Sequence, residues 1–142
     1  MDLTDALAFI RDRKQGVLTT IRANGRPQLS NIMFVPGDEG MLRISVTDDR
    51  AKTRNLRRDP RASLYVPGDN FYQYAVIEAE AELTPVAADP HDATVDALVA
   101  YYKDLIGEHP DWLEYRTTMV RDRRLLVVLT PERAYGMVPP PS

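Results

Sequence analysis

The stretch "VLTTIRANGRPQLSNIMFV", residues 17–35, constrains the fold more than any other part of the chain. Its two β-rich arms flank Asn24-Gly25, a pair that tolerates the positive φ angles of a type I′ turn, so the stretch predicts a hairpin. "PGDEG" then turns the chain into "MLRISV", and further β-type runs follow at "ASLYV" and "YAVIEAEAEL". Short strands separated by turn residues favour an antiparallel meander or barrel over βαβ units, because parallel neighbours need a helix after each strand. Only one stretch between the strands can supply such a helix, "RAKTRNLRRDP", which Asp59-Pro60 would end by pushing the residue before proline out of the α region.

The remaining segments read as helix. Leu3, Ala6, Leu7 and Ile10 have helical spacing, so residues 3–14 predict a short amphipathic helix. From Thr84 the texture changes. Asp89 is the expected cap of a helix with Pro90 and Asp92 in its first turn, and Val95, Leu98, Val99, Tyr102, Leu105 and Ile106 mark its apolar face. "HPDWLEYRTTMV" predicts a second short helix carrying Trp112, Tyr115 and Met119. "RRLLVVLT" returns to strand, and "PERAYGMVPPPS" reads as a closing loop with a proline-stiffened tail. A chain of 142 residues is the size of one domain. The expectation is therefore a single domain over 1–142, mainly β, with a helical insertion at about 85–122.

Composition narrows the chemistry. With no cysteine there is no disulfide, thiolate nucleophile or cysteine-held metal, which suits a cytoplasmic protein. The two histidines, His91 and His109, stand in polar contexts that read as a helix start and a loop, so neither a metal site nor a Ser-His-Asp triad is expected. No apolar run approaches the ~20 residues of a membrane span, and the N-terminus has acids where a secretory signal starts basic.

Against a net charge of −3, six cations between Arg50 and Arg61 face a single acid, Asp59. If the helix starts at Ala51, then Arg50 and Lys52 flank its free backbone N–H groups, where the helix dipole is positive, and together they make an anion pocket. Arg54 with Arg58, and Arg57 with Arg61, would form like-charge pairs four residues apart. A bound polyanion would relieve that repulsion. A nucleic acid would also use such a helix, but the pI of about 5.4 and the lack of an aromatic within residues 48–63 point away from it.

"GVLTTIRANGRPQLSNIMFV" followed by "RAKTRNLRRDPRASLYV" resembles the split β-barrel family of pyridoxamine 5′-phosphate oxidase-like proteins and actinobacterial flavin/deazaflavin oxidoreductases, and within it the mycobacterial F420-binding group. The resemblance runs through the helical segment to the ending "YGMVPP". It implies a six-stranded antiparallel split barrel, a homodimer, and one cofactor in each of two clefts between subunits. It places the phosphate-binding arginine and lysine on Arg50 and Lys52, with Ala51 and Thr53 adding backbone. Ser45 falls on a position touching the cofactor's ribityl or ring region, Gln28 and Asn31 on positions lining the ring pocket, and Tyr74 on an aromatic that closes the cleft.

The implied activity is hydride transfer between coenzyme F420 and an electron-poor organic substrate. The cations from Arg54 to Arg61 are what the anionic tail of F420 can use, whereas FMN needs only Arg50 and Lys52. An FMN-binding oxidase-like protein and a non-catalytic F420 carrier are the alternatives. No His or Arg follows Arg133, so the substrate-holding pair that ends true pyridoxamine phosphate oxidases is missing. No side chain identifies itself as the proton donor, and an enone, quinone, nitro compound or tetrapyrrole would each suit an open cleft.

Overall fold

The computed structural model describes residues 1–139. It contains α1 (Leu3–Ile10), β1 (Gln15–Ile21), β2 (Pro27–Met33), β3 (Val35–Pro36), β4 (Leu42–Thr47), α2 (Ala51–Arg58), β5 (Arg61–Pro67), β6 (Tyr74–Leu83), α3 (Ala93–Leu105), α4 (Trp112–Arg121) and β7 (Arg124–Met137). All strand pairs are antiparallel, in the order β2-β1-β5-β6-β7-β4-β3. The two edge strands, β2 and β3, are consecutive in the chain and joined by Phe34 alone. A sheet whose opposite edges share one linking residue must curl until they meet. The result is the expected split barrel, with the two-residue β3 as a seventh strand beyond the predicted six.

Strand alternation builds the interior. Leu18, Leu64, Ile77, Leu125 and Leu129 are each fully buried, and with Phe34 they fill the barrel, while Ala6 and Ile10 of α1 pack onto the same cluster. The other face of β7 is buried as well, because Leu126 lies under a second cluster formed by Val95, Leu98, Val99, Tyr101 and Leu105 of α3 and Met119 of α4. The helical insertion therefore rides on the outside of β7 and β4. Trp112, Tyr115, Tyr102 and His109 pack ring against ring beside it, at centroid distances of 5.0 to 5.6 Å.

Several expectations change in detail. The β1–β2 hairpin forms, but among its turn residues only Gly25 has positive φ (85°), and the Gly25 N–H reaches the Arg22 carbonyl at 2.9 Å. A turn with one left-handed residue thus replaces the type I′ turn. Helix α1 stops at Ile10. The cap of α3 is Asp92 rather than Asp89, whose carboxylate is already taken by the N–H of His91. Tyr101 is buried where Ile106 was expected, and Ile106 is 62% exposed. The loop expected from Pro131 is instead the second half of β7. Pro131 sits opposite Ala79 at a bulge, where Glu132 is left without a partner between Pro131 and Arg133, a place in a ladder that tolerates proline. The proline tail from Pro140 lies outside the described residues.

Candidate functional site

The barrel's split lies between β2 and β4. Beyond the pairs Val35 with Arg43 and Pro36 with Leu42, the backbone edges of β2 and β4 that face each other have no partner strand. Helix α2 crosses the wide end of this gap, leaving β4 at its start and reaching β2 further along, where Asn55 donates to Gln28 and to Thr20, both at 3.1 Å. Leu56 anchors the helix in the barrel core and Thr53 ties it to the Thr47 carbonyl at 2.7 Å.

The start of α2 is the most unusual local feature. The other three helices each begin with an aspartate whose side chain accepts a backbone N–H: Asp2 from Thr4, Asp92 from Val95 and Asp111 from Glu114. Helix α2 begins with Arg50, which supplies no side-chain cap. The Thr53 N–H closes on the Arg50 carbonyl at 3.1 Å, which leaves the Ala51 and Lys52 N–H groups with their hydrogen-bonding capacity and their share of the positive helix dipole. Lys52 is half-buried beside them. Burial, then Arg50 and then Arg124, hold the Lys52 pKa below the ordinary lysine range. Arg124, at the start of β7, donates to Ser45 Oγ at 3.2 Å. Among the described residues, no carboxylate lies within ion-pair distance of Arg50, Lys52 or Arg124. Three cations and the Ala51 and Lys52 N–H groups thus converge without an internal counter-ion among the described residues.

The rest of the basic run behaves differently. Arg57 pairs with Asp48 at 2.7 Å, and Arg123 meets the same carboxylate at 3.0 Å. Those two arginines hold the Asp48 pKa below the usual carboxylate range, Arg123 first and Arg57 second. Arg61 belongs to β5 rather than to the helix and closes on Asp59 at 2.8 Å, holding that carboxyl at about 2. Arg58 binds the Ile21 carbonyl and Asn55, and Arg54 binds the Asp49 carbonyl at 2.8 Å. The expected second like-charge pair, Arg57 with Arg61, is absent because each has its own acid.

Of the predicted site residues, the structure brings Ser45, Arg50, Ala51, Lys52 and Thr53 together at one end of the split, with Gln28 reached through Asn55. Alternation sends Gln28 and Ser30 into the barrel, opposite the buried Thr20 and Leu18, and Asn31 to the outer face. The Ser30 hydroxyl is buried with no partner. Asn31 lines an open groove of about 430 Å³ with Gln15, Val17, Met33 and Pro67.

Tyr74 does not join the cations. It pairs with Met137, whereas Ser45 pairs with Leu126, near the opposite end of the 14-residue β7. Tyr74 stacks on Tyr65 at 5.6 Å on the sheet's outer face. There the register aligns Asn31, Val17, Tyr65, Val76 and Tyr135 in one row across five strands, with Leu29, Met33 and Met137 exposed beside it. Phe34, between Met33 and Val35, is by contrast wholly inside.

The profile of the pyridoxamine 5′-phosphate oxidase family matches residues 4–137. The chain belongs to this family. Among solved structures, the family member is similar to an F420 reductase at 24% identity and a TM-score of 0.68, over 90% of this chain and 94% of that one. A conserved hypothetical protein from Mycobacterium tuberculosis is 23% identical with a TM-score of 0.70, over 94% and 82% of the two chains. HutZ, a heme storage protein from Vibrio cholerae, is 21% identical with a TM-score of 0.67, over 96% and 95%. At these identities the likeness is one of fold.

Sequence reasoning missed Arg124 and Tyr101. A lone arginine opening a strand carries no local signal, and adjacent tyrosines in a helix differ in burial only once the packing direction is known. No helix among the described residues is long and apolar enough to cross a membrane, and no group of three metal-binding side chains occurs among them.

Proposed function

We propose that this protein is an F420-dependent oxidoreductase, moving a hydride between the deazaflavin and an electron-poor organic substrate. The observation that carries the reading is the convergence of Arg50, Lys52 and Arg124 on the uncapped start of α2, without a carboxylate among them. A phosphate supplies the charge and the acceptor oxygens that this arrangement lacks. The buried, unpartnered Ser30 hydroxyl offers a polar contact further along the split. The fold likeness to an F420 reductase supports the deazaflavin, together with the sequence resemblance.

In this reading Arg50, Lys52, Arg124 and the N–H groups of Ala51 and Lys52 hold the phosphate, while Thr53, its N–H on the Arg50 carbonyl and its hydroxyl on the Thr47 carbonyl, fixes the turn that presents them. Ser45 lines the path of the ring, with Gln28 on the barrel side of the split and Asn31 on its outer side. When bound, the deazaflavin supplies the hydride chemistry at its C5, and the protein's share is orientation and exclusion of water. Tyr74 is too far along the sheet to close the same chain's cleft, so it serves the cleft of a second copy. The exposed outer face carrying Tyr65, Tyr135, Met33 and Met137 is then the homodimer interface.

FMN is the second reading, because Arg57 and Arg61 are paired internally and leave only Arg54 and Arg58, each already on a backbone carbonyl, for a longer anionic tail. Titration of the purified protein with F420 and FMN side by side decides between them, followed by a panel of enone, quinone and nitro acceptors with reduced F420. The expected result is saturable F420 binding and acceptor-dependent oxidation. FMN copurifying in stoichiometric amount would favour the second reading, and F420 binding with no acceptor turned over would make the protein a carrier. Binding of neither chromophore would overturn both.

A further inference from the structure

Continuing the β3–β4 register past Val35 and Arg43 would set Met33 opposite Ser45. The strands do not pair there. Tyr101 of α3 places its hydroxyl in the gap and donates to the Met33 carbonyl at 3.0 Å. The Ser45 backbone N–H neighbours the Tyr101 hydroxyl oxygen from the β4 side. One phenol thus occupies the place where the next bonds of the ladder would form, and the split begins at that point. The ring is 7% exposed, and α3 is held against β7 by Leu98, Val99 and Leu126, so the hydroxyl cannot drift from its position.

We propose that Tyr101 is a positioning residue, a wedge whose hydroxyl ends the β3–β4 ladder and sets the width of the cleft between β2 and β4. The link to cofactor binding rests on the reading of that cleft given above. Without the hydroxyl, the Met33 carbonyl loses its donor and the Ser45 N–H its polar neighbour, and each must find water or the other strand. Either response alters the opening through which a planar ring would pass. Were Tyr101 only a fastener of α3 to the barrel, its variant would behave like any loss of packing in the same cluster.

The variant Tyr101→Phe keeps the ring and removes only the hydroxyl. Met119→Ala, in the same helical cluster but away from the split, is the control for lost packing. Amide hydrogen exchange of the protein without added cofactor is the first readout. Wild type should protect the Ser45 amide although no strand pairs with it on that side. Y101F should accelerate exchange at Ser45 by at least tenfold, while M119A leaves it within threefold. An unprotected Ser45 amide in wild type overturns the wedge, even if Y101F fails to fold. So does equal acceleration in both variants.

The second readout is titration with F420 and with FMN. Y101F should weaken the chromophore that binds wild type by at least tenfold, beyond any loss in M119A. Wild-type affinity in Y101F would remove the wedge's role in the cleft. If wild type binds neither chromophore, the proposed function fails while hydrogen exchange still decides the wedge.

Discussion

At the start of α3 the Asp92 carboxylate accepts from Val95 at 2.8 Å and from Ala88 and Asp89 at 2.9 and 3.1 Å, whereas at the start of α2 the same position holds Arg50 and offers nothing. The two helices are cut from one chain and obey one capping chemistry, so the difference lies in what each end is for. Helix α3 satisfies its own terminus and becomes part of the scaffold. Helix α2 has no side-chain cap and adds positive charge at its start, a local cost that a bound anion would offset under the proposed function.

The sharpest way to break this comparison is to give α2 the cap it lacks. Arg50→Asp should raise the stability of the apoprotein by about 1 kcal/mol while weakening cofactor binding on the order of a hundredfold, since a cation beside the phosphate becomes an anion. Thermal melting and chromophore titration on one sample would read both effects. Loss of stability together with unchanged affinity would show that α2 is an ordinary helix. Removing a cation without adding a cap is milder: Lys52→Ala should lose roughly 1.5–3 kcal/mol of cofactor affinity, with apoprotein melting unchanged or slightly raised. The mirror experiment at α3, Asp92→Ala, should cost about 1 kcal/mol of stability and leave titration curves superimposable on wild type.

Alkaline titration adds a fourth contrast. The folded pKa of Lys52 lies below its unfolded value, so between the two the unfolded chain binds more protons and apoprotein stability should rise with pH. Cofactor affinity should fall through the same window, as the cation that holds the phosphate is lost. Opposite slopes for melting temperature and affinity are the expected outcome, and parallel slopes would contradict it. The smallest effect belongs to the arginines already paired: Arg57→Ala and Arg61→Ala should each change cofactor affinity by less than about twofold, as exposed ion pairs contribute little.

The contrast was half legible in the sequence. The helix over Ala51–Arg58, its proline stop and the cations at its start are local signals, and they were read within a residue of their observed places. The fates of Arg57 and Arg61 were not, because Asp48 and Asp59 lie outside the helix and their reach depends on how the turns fold back. Arg124 joins the site only through the β4–β7 pairing, which sets Arg124 opposite Thr47. The hairpin was visible from Asn24-Gly25, but its turn type depended on a φ angle that either geometry allows. The second half of β7 was hidden by Pro131, whose place in a strand makes sense only once the bulge beside it, at Glu132, is known. Tyr74 carries a different lesson: one chain's topology places it away from the cations, and no one-chain reading can bring it back.

Phe34 links the two edges of the sheet, and that has a consequence for how the chain folds. Closing a ring of strands ordinarily requires the first and last to find each other across a long stretch of disordered chain, with a loss of freedom that grows with the separation. Here those two strands are neighbours from the moment of synthesis. The seam is tethered before anything else has formed, so the slow search falls to β7, which must insert between β6 and the already distant β4. Severing the backbone beside Phe34 would turn the same barrel into an open sheet with two bare margins, each free to recruit another chain.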